Sequence, residues 1–358
     1  MCSFIVIIMY YVIILFFNIY KYSIIIYIIM YYNSEIGYID LLKDALTNGE
    51  KKKTRNGYVI SIFGSMINFK DIHTSFPLIT TKKVFFRGIV EELLWFLRGS
   101  TNANELKSKN IYIWDGNSSR EYLDSIGLDY PEGELGPVYG WQWRKFGKEY
   151  SNNNYIESDT SADTDTDTET DSDAYSDNYI YTESDTDIEN TGVDQLKYVL
   201  EELSKDNNSR RAVLSAWNPI DLKKMALPPC HILYIFNRSS KGLSCHMTLR
   251  SSDLFLGLPF NIASTALLTQ ILAHVLHINA YEISLSICDA HIYEEHTPQV
   301  NKQIDNEIFK FPKVIIKKMA PDISLSICEK IRWIETLVYE DFELSNYKSH
   351  ATLTAIMK

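Results

Sequence analysis

The sequence predicts an α+β domain, in which long apolar helices pack against a sheet. Residues 231–237 and 243–249 are rich in β-favouring residues and flank a polar turn that ends in Gly242, a pattern typical of a β-hairpin. Phe86–Leu97 has its apolar residues on one helical face and is closed by Gly99. Residues 261–278 are almost all apolar, so we expect a central helix that is packed on every side.

The charge of the chain is concentrated in one segment. The 358 residues carry a formal net charge of −11, but residues 151–192 contribute thirteen Asp or Glu and no Lys or Arg. Without that segment the rest of the chain carries +2, so the folded part is nearly neutral. It has no basic stripe typical of nucleic-acid binding and no glycine fingerprint of a phosphate-binding loop, which argues against those function classes.

The cysteines are few and scattered. None of the five belongs to a C-x-x-C pair, which argues against a disulfide framework and against a zinc site. We therefore expect a reducing compartment, the cytoplasm, and no metal.

Two segments differ in composition from the predicted domain, which we place at residues 33–358. Residues 1–32 are nearly all apolar or Tyr, which fits either a membrane anchor or a misassigned start ahead of Met30. Residues 151–192 repeat Asp, Thr and Ser and cannot bury enough apolar surface to fold, so we expect a disordered acidic insertion within the domain.

The hairpin predicts a candidate nucleophile. If it is symmetric about Ser240, Asn237 faces Leu243 and Cys230 faces Arg250. A guanidinium across from a thiol favours the thiolate, which is the nucleophilic form. The alternative is that Cys230 is a small apolar side chain in the core.

Other polar residues also allow two interpretations from the residues alone. Glu92 has mostly apolar helical neighbours, so it is either salt-bridged or has a raised pKa suited to proton transfer. Asn261 could cap the apolar helix or present its amide to a ligand. His291 and Tyr293 share one face of a strand, either as core residues or as hydrogen-bonding groups. Arg210-Arg211 could be an ordinary solvated pair.

An ordered set of motifs resembles thymidylate synthases from about Ile36 to about Thr354, interrupted by the acidic insertion. The motifs are Arg55-Asn56-Gly57, Glu92-Leu93-Leu94-Trp95, Ile113-Trp114-Asp115, Gly136-Pro137-Val138-Tyr139-Gly140, Ser209-Arg210-Arg211, Pro228-Pro229-Cys230-His231, Arg250-Ser251-Ser252-Asp253, Gly257-Leu258-Pro259-Phe260-Asn261 and Asp289-Ala290-His291-Ile292-Tyr293.

The resemblance implies a single domain with a mixed sheet packed against helices, homodimeric through the sheet. It implies reductive methylation of dUMP to dTMP with 5,10-methylenetetrahydrofolate as cosubstrate. The catalytic residues would be Cys230, Glu92 and Tyr139. The dUMP site would comprise Arg55, Arg210, Arg211, Arg250, Ser251, Ser252, Asp253, Asn261, His291 and Tyr293, with Arg210 and Arg211 contributed to the partner subunit's site. The folate would contact Asp253, Trp114 and Asn117.

The sequence departs from the family pattern at three places. Leu249 stands where a glutamine is usual, the loop after Arg55 is about one residue short, and the chain ends on Lys358 where a small apolar residue is usual. Two rivals remain: a nucleotide hydroxymethylase on the same fold, in which water captures the intermediate, and a membrane-anchored or regulatory protein that keeps the fold without activity.

Overall fold

A computed structural model describes Lys21 and residues 34–151, 192–205 and 208–357. The N-terminal extension, apart from Lys21, and the acidic insertion, apart from its end residues, lie outside the described residues, and both stay predictions. The chain divides into two compact units. The first holds the residues up to Leu93, Val199–Val213 and Cys230–Lys358, and the second holds Leu94–Tyr198 and Leu214–Pro229.

The first unit is built on a mixed six-stranded sheet. Its strands are β1 Glu50–Thr54, β2 Gly57–Lys70, β3 Val213–Ser215, β4 His231–Ser239, β5 Gly242–Asp253 and β6 Ala280–Tyr293. The order is β1-β2-β6-β5-β4-β3, and β3 belongs to this unit only through Val213. The β5–β6 pair is parallel, whereas β1–β2, β2–β6 and β4–β5 are antiparallel. A separate antiparallel pair joins β7 Lys313–Ile316 to β8 Phe342–Ser345.

Ten α-helices are described. They are α1 Ile36–Asn48, α2 Phe86–Leu97, α3 Asn104–Lys107, α4 Asp115–Ser118, α5 Arg120–Ser125, α6 Tyr139–Lys145, α7 Gln195–Lys205, α8 Gly257–Val275, α9 Thr297–Ile304 and α10 Ile327–Glu335. Helix α2 has the bounds that the sequence predicts, and Gly99 follows it at a positive φ of 73°. The mixed sheet and its helices confirm the predicted α+β class.

The central apolar helix α8 begins earlier and ends earlier than predicted. The carboxylate of Asp253 accepts the N–H groups of Phe255 and Leu256 and thereby closes the turn that leads into Gly257. The missing N–H of Pro259 falls in the first turn, where it has no intrahelical partner to lose. Past Val275 the backbone turns away at His277, whose φ is 55°. Asn261 is therefore inside the helix, and the interpretation of Asn261 as its N-cap is wrong.

Burial shows that α8 is a core helix. Among the described residues it is the one helix long and apolar enough to cross a membrane, yet 78% of its most apolar stretch is buried inside the protein. Its buried residues lie on every side of the helix, as the sequence predicts for a central position.

In the β4–β5 hairpin, one of the two predicted residue pairs is wrong and the other is confirmed. Ser239 pairs with Gly242, so the turn has two residues, and Asn237 faces Ser244 and not Leu243. A β-bulge then adds one residue to β4 between His231 and Leu233 and shifts the register back. Beyond the bulge the N–H of Arg250 donates to the carbonyl of Cys230 at 2.9 Å. The expected Cys230–Arg250 pair is present because two deviations from the symmetric hairpin cancel.

The second unit is held by buried polar groups as well as by aromatic packing. Gln142 is fully buried and donates to the carboxylate of Asp221 at 2.9 Å. Arg144 pairs with Asp194 at 2.9 Å, and Phe146 and Val193 exchange two backbone hydrogen bonds. These last contacts join the two sides of the acidic insertion, so the described chain on either side of it is already closed into one structure.

Candidate active site

Cys230 lies immediately before β4, at the end of the hairpin that is farthest from the turn. One guanidinium nitrogen of Arg250 is 3.9 Å from its sulfur, and the cysteine side chain is partly exposed. A partly exposed thiol beside a guanidinium has the setting in which the thiolate is favoured. By contrast, Cys245 is buried in the sheet, and burial raises the pKa of its thiol far above the usual value.

The neighbouring His231 is not a charged partner for the thiol. It is buried, and burial lowers its pKa to about 3, so the ring is neutral at physiological pH. Its Nδ1 lies 3.0 Å from the hydroxyl of Tyr234, which fixes the ring. The positive charge next to Cys230 therefore comes from Arg250.

The carboxyl ends of β5 and β6 bring polar side chains together. Because these strands are parallel, Asp253 lies opposite His291 in the pairing register. Nδ1 of His291 is 2.9 Å from a carboxylate oxygen of Asp289, whose second oxygen accepts from Ser61 at 3.1 Å. A carboxylate can only accept, so the Nδ1 proton is fixed, and Nε2 of a neutral ring remains an acceptor.

Tyr293 connects this strand end to the β1–β2 turn. Burial raises the pKa of its hydroxyl, with further upward contributions from Asp253 and Cys230, while a side-chain hydrogen bond with Asn56 and the charge of Arg55 oppose the rise. Arg55 itself is exposed at the tip of a tight two-residue turn between Thr54 and Gly57. Cys230, Asp253 and Arg55 therefore all lie within electrostatic reach of one phenol.

A buried lysine lies within electrostatic reach of Asp253. Lys82 is 5% exposed; its ammonium donates to the carbonyl of Phe255 and lies 3.6 Å from the centre of the Phe255 ring. Burial lowers the pKa of Lys82 to about 7, although the charges of Asp253 and Glu35 partly oppose this. Glu35 is itself buried and accepts the N–H groups of Thr80 and Thr81.

Further candidates of the first unit lie on two helices and near the end of β5. Asn261 is half-buried in the second turn of α8, and its carbonyl accepts from Thr265. Glu92 lies in α2, partly buried, and its charge contributes to the raised pKa of Tyr234 on β4. Ser251 is partly exposed, while the hydroxyl of Ser252 is buried with no hydrogen-bond partner among the described residues.

Arg210 and Arg211 are both exposed. The preceding Ser209 is buried and donates to Glu202 at 2.6 Å, and its oxygen accepts the N–H of Arg211 at 3.2 Å. The carbonyl of Ala212 then accepts the N–H of Phe236 on β4. Hydrogen bonds therefore hold the backbone on both sides of the two exposed arginines.

The second unit contributes an aromatic cluster. Trp114 and Tyr139 are buried with their ring centres 6.0 Å apart, and Phe96 packs against both at 6.5 and 4.9 Å. Asn117 lies one helical turn beyond Trp114 in α4, and its N–H donates to the Trp114 carbonyl. The structure therefore groups Trp114, Tyr139 and Asn117 in one part of the second unit.

The comparison with protein families decides the relationship. The family model of thymidylate synthase matches residues 36–358. The chain belongs to the thymidylate synthase family. This is a family of methyltransferases, so the resemblance that the motifs indicate is confirmed.

Individual relatives agree with the family match. The chain is 39% identical over 323 residues to the human thymidylate synthase, an alignment that covers 90% of each protein. It is 39% identical to thymidylate synthase 1/2 of Encephalitozoon cuniculi over 88% of this chain and 94% of that protein. It is also 43% identical to a bifunctional dihydrofolate reductase-thymidylate synthase of Paramecium tetraurelia, of which it spans 60%.

Several contacts of this thymidylate synthase family member were not predicted. Asp289, Lys82 and His296 interact with candidate residues, but the sequence assigns none of the three a role. Asp289 opens the motif that contains His291 and stands two residues from it on the same strand face, and these two signals could have found it. Leu249, in place of the usual glutamine, is fully buried opposite His231. Lys358 lies outside the described residues.

Proposed function

We propose that this chain catalyses the reductive methylation of dUMP to dTMP, with 5,10-methylenetetrahydrofolate as the cosubstrate. The observation that carries the proposal is the pair of Cys230 and Arg250, in which a guanidinium nitrogen lies 3.9 Å from a partly exposed sulfur. A thiolate in this setting is a nucleophile for an electron-poor carbon.

In the proposed mechanism the Cys230 thiolate adds to C6 of the uracil ring. The addition turns C5 into a nucleophile, which bonds to the one-carbon unit of the folate and then loses its proton as the carbon–nitrogen bond to the folate breaks. Hydride transfer to the one-carbon unit completes the methyl group while the carbon–sulfur bond breaks and the thiolate is restored. The folate supplies the one-carbon unit and then the hydride. Glu92 and Tyr139 are proposed to serve the proton transfers, Glu92 by organising the water that carries them.

The dUMP contacts follow from the chemistry of each group. The guanidinium forks of Arg55 and Arg250 suit a phosphate dianion. The amide of Asn261 both donates and accepts, as the N3 and O4 edge of uracil requires. Because Asp289 holds the Nδ1 proton of His291, Nε2 can accept from the ribose 3′-hydroxyl, with Tyr293 beside it at a ring distance of 5.3 Å.

Asp253 has the properties of a folate contact. One of its carboxylate oxygens is held by two backbone N–H groups, and the side chain remains partly exposed. An oriented carboxylate is a suitable acceptor for the N–H donors of a pterin ring. The aromatic surfaces of Trp114 and the amide of Asn117 would serve the same ligand.

We infer that two copies of the chain associate through the sheet. Strand β2 leaves Phe63 and Met66 81% and 62% exposed, and β4 leaves Ile235 37% exposed. Large exposed apolar side chains on a sheet favour a protein partner. The outward Arg210 and Arg211 would then bind phosphate in the partner subunit's site.

The activity is tested by incubating purified protein with dUMP and 5,10-methylenetetrahydrofolate and quantifying products. We expect dTMP and dihydrofolate in equal amounts. Hydroxymethyl-dUMP with tetrahydrofolate would indicate the hydroxymethylase instead, and no product at all would contradict both enzymes. In 5-fluoro-dUMP a fluorine replaces the C5 hydrogen, so the proton loss at C5 that the reaction requires cannot occur. Together with the folate, this analogue should therefore form a stable adduct on Cys230, which is detected as added mass on the cysteine-containing peptide.

The shared site is tested with two inactive variants. A Cys230→Ala chain offers intact arginines to its partner, and an Arg211→Ala chain offers an intact cysteine. Random subunit exchange between them should restore up to about a quarter of the wild-type activity. No recovery despite demonstrated exchange would place the arginines in the same site as their own Cys230.

A further inference from the structure

The last described residues of the chain hold few contacts. Ile356 and Met357 are 72% and 62% exposed, so apolar burial does not fix these two residues. Residues 354–356 line a cavity together with Glu295, His296 and Gln299. Among the described residues, one hydrogen bond reaches residues 352–357, and it comes from His296. Hydrogen bonding therefore attaches the segment at one point.

The hydrogen bond between His296 and the C-terminal segment determines which ring nitrogen of the histidine carries a proton. Nε2 of His296 lies 2.9 Å from the carbonyl oxygen of Ile356. A carbonyl oxygen can only accept, so Nε2 carries a proton. The other nitrogen, Nδ1, is buried without a hydrogen-bond partner among the described residues.

The same ring lies against the proposed substrate residues. His296 is 1% exposed, and its Nδ1 is 3.9 Å from a carboxylate oxygen of Asp253. Its ring centre is 5.4 Å from that of Tyr293 and 5.6 Å from that of Phe255. One buried imidazole thus contacts the proposed folate residue, the proposed dUMP residue and the C-terminal segment.

We propose that His296 is a positioning residue that fastens the C-terminal segment to the wall formed by Asp253 and Tyr293. Donation from Nε2 holds the Ile356 carbonyl, and the aromatic contacts of the ring hold the histidine. The effect on catalysis rests on the proposed function, since it requires that Asp253 contacts the folate. The attachment itself does not.

Two isosteric substitutions separate the hydrogen bond from packing. In His296→Gln the amide nitrogen can occupy the place of Nε2 and still donate to Ile356, whereas the shorter amide of His296→Asn reaches only the place of Nδ1. His296→Phe keeps the ring without any donor. His274→Asn is a matched control, because Nε2 of His274 donates to a carbonyl elsewhere, that of Lys318, at 3.0 Å.

The first experiment measures the attachment without nucleotide or folate. Carboxypeptidase Y is added to the full chain, and release of Ile356 and the residues before it is followed by intact mass. We expect release about three- to tenfold faster in His296→Asn and His296→Phe, the range for loss of one hydrogen bond. His296→Gln should stay within about twofold of wild type, as should His274→Asn. Unchanged release in His296→Asn, or equal release in His296→Asn and His296→Gln, would overturn the proposal.

The second experiment tests the link to the reaction. His296→Asn should raise the KM for 5,10-methylenetetrahydrofolate about three- to tenfold, with a change below about twofold in the dissociation constant of dUMP alone. In a chain truncated after Ala355, which lacks the acceptor, the same substitution should add nothing. An equal effect in both chains would show that the ring acts by packing and would overturn the proposal. Melting curves verify folding, and His296→Phe replaces His296→Asn if the latter does not melt cooperatively.

Discussion

The two units use different means to place their candidate residues. In the first unit the candidate residues on the strands are set by strand register and by single hydrogen bonds, such as that from Nδ1 of His291 to Asp289. In the second unit Trp114 and Tyr139 are set by ring packing around Phe96. A hydrogen bond is lost when one atom is removed, whereas a packed ring can shift. Substitutions that remove a hydrogen-bonding atom in the first unit should therefore reduce activity strongly, and substitutions of a packed ring in the second unit should reduce it less.

The largest effect is expected at Cys230. Cys230→Ser keeps a similar volume but offers a far weaker nucleophile, so kcat should fall more than about 1,000-fold with little change in melting temperature. Steady-state dTMP formation and a thermal melt measure the two quantities. Activity above about a thousandth of wild type would contradict nucleophilic catalysis by this cysteine.

The next effect tests hydrogen bonding in the first unit. Asp289→Ala leaves Nδ1 of His291 without its acceptor, so the ring loses its fixed proton position, and we expect the KM for dUMP to rise about three- to tenfold. The KM for the folate should change less, because Asp253 keeps its own backbone contacts. A folate KM that rises as much as that for dUMP would show that the whole strand end has moved.

A smaller effect is expected in the aromatic cluster. Trp114→Phe removes part of a buried ring but keeps an aromatic side chain among Trp95, Phe96 and Tyr139. We expect a loss of about 1–3 kcal/mol in the free energy of unfolding, measured in urea, and an activity loss below that of Asp289→Ala. An activity loss as large as that of Cys230→Ser would contradict the graded behaviour of this unit.

The smallest effect is expected from deletion of residues 152–190. Phe146 and Val193 already exchange two hydrogen bonds, and Arg144 already pairs with Asp194. Shortening a loop whose two sides are already joined changes mainly its closure entropy, which depends weakly on length. We expect activity within about twofold and a free energy of unfolding within about 1 kcal/mol of wild type. A chain that no longer folds would show that the acidic insertion contributes structure.

Local sequence patterns predicted the helices better than the contacts between residues that are distant in the chain. The apolar periodicity of Phe86–Leu97 located that helix to the residue, and the composition of residues 261–278 predicted a core helix. The start of α8 was missed because a side-chain contact from Asp253 sets it. Lys82 and His296 gave no signal because their importance comes from partners 173 and 60 residues away in the chain.

The bulge in β4 has a consequence for how this hairpin can change. In a regular β-hairpin, a one-residue shift of the register changes every residue pair and moves every side chain of one strand to the opposite face of the sheet. Here the extra residue of β4 between His231 and Leu233 shifts the pairing by one residue, so the register near the turn differs from the register at the end that holds Cys230. If β4 paired without this bulge, the two-residue turn at Ser240 and Lys241 would place Cys230 opposite Ser251 and not opposite Arg250.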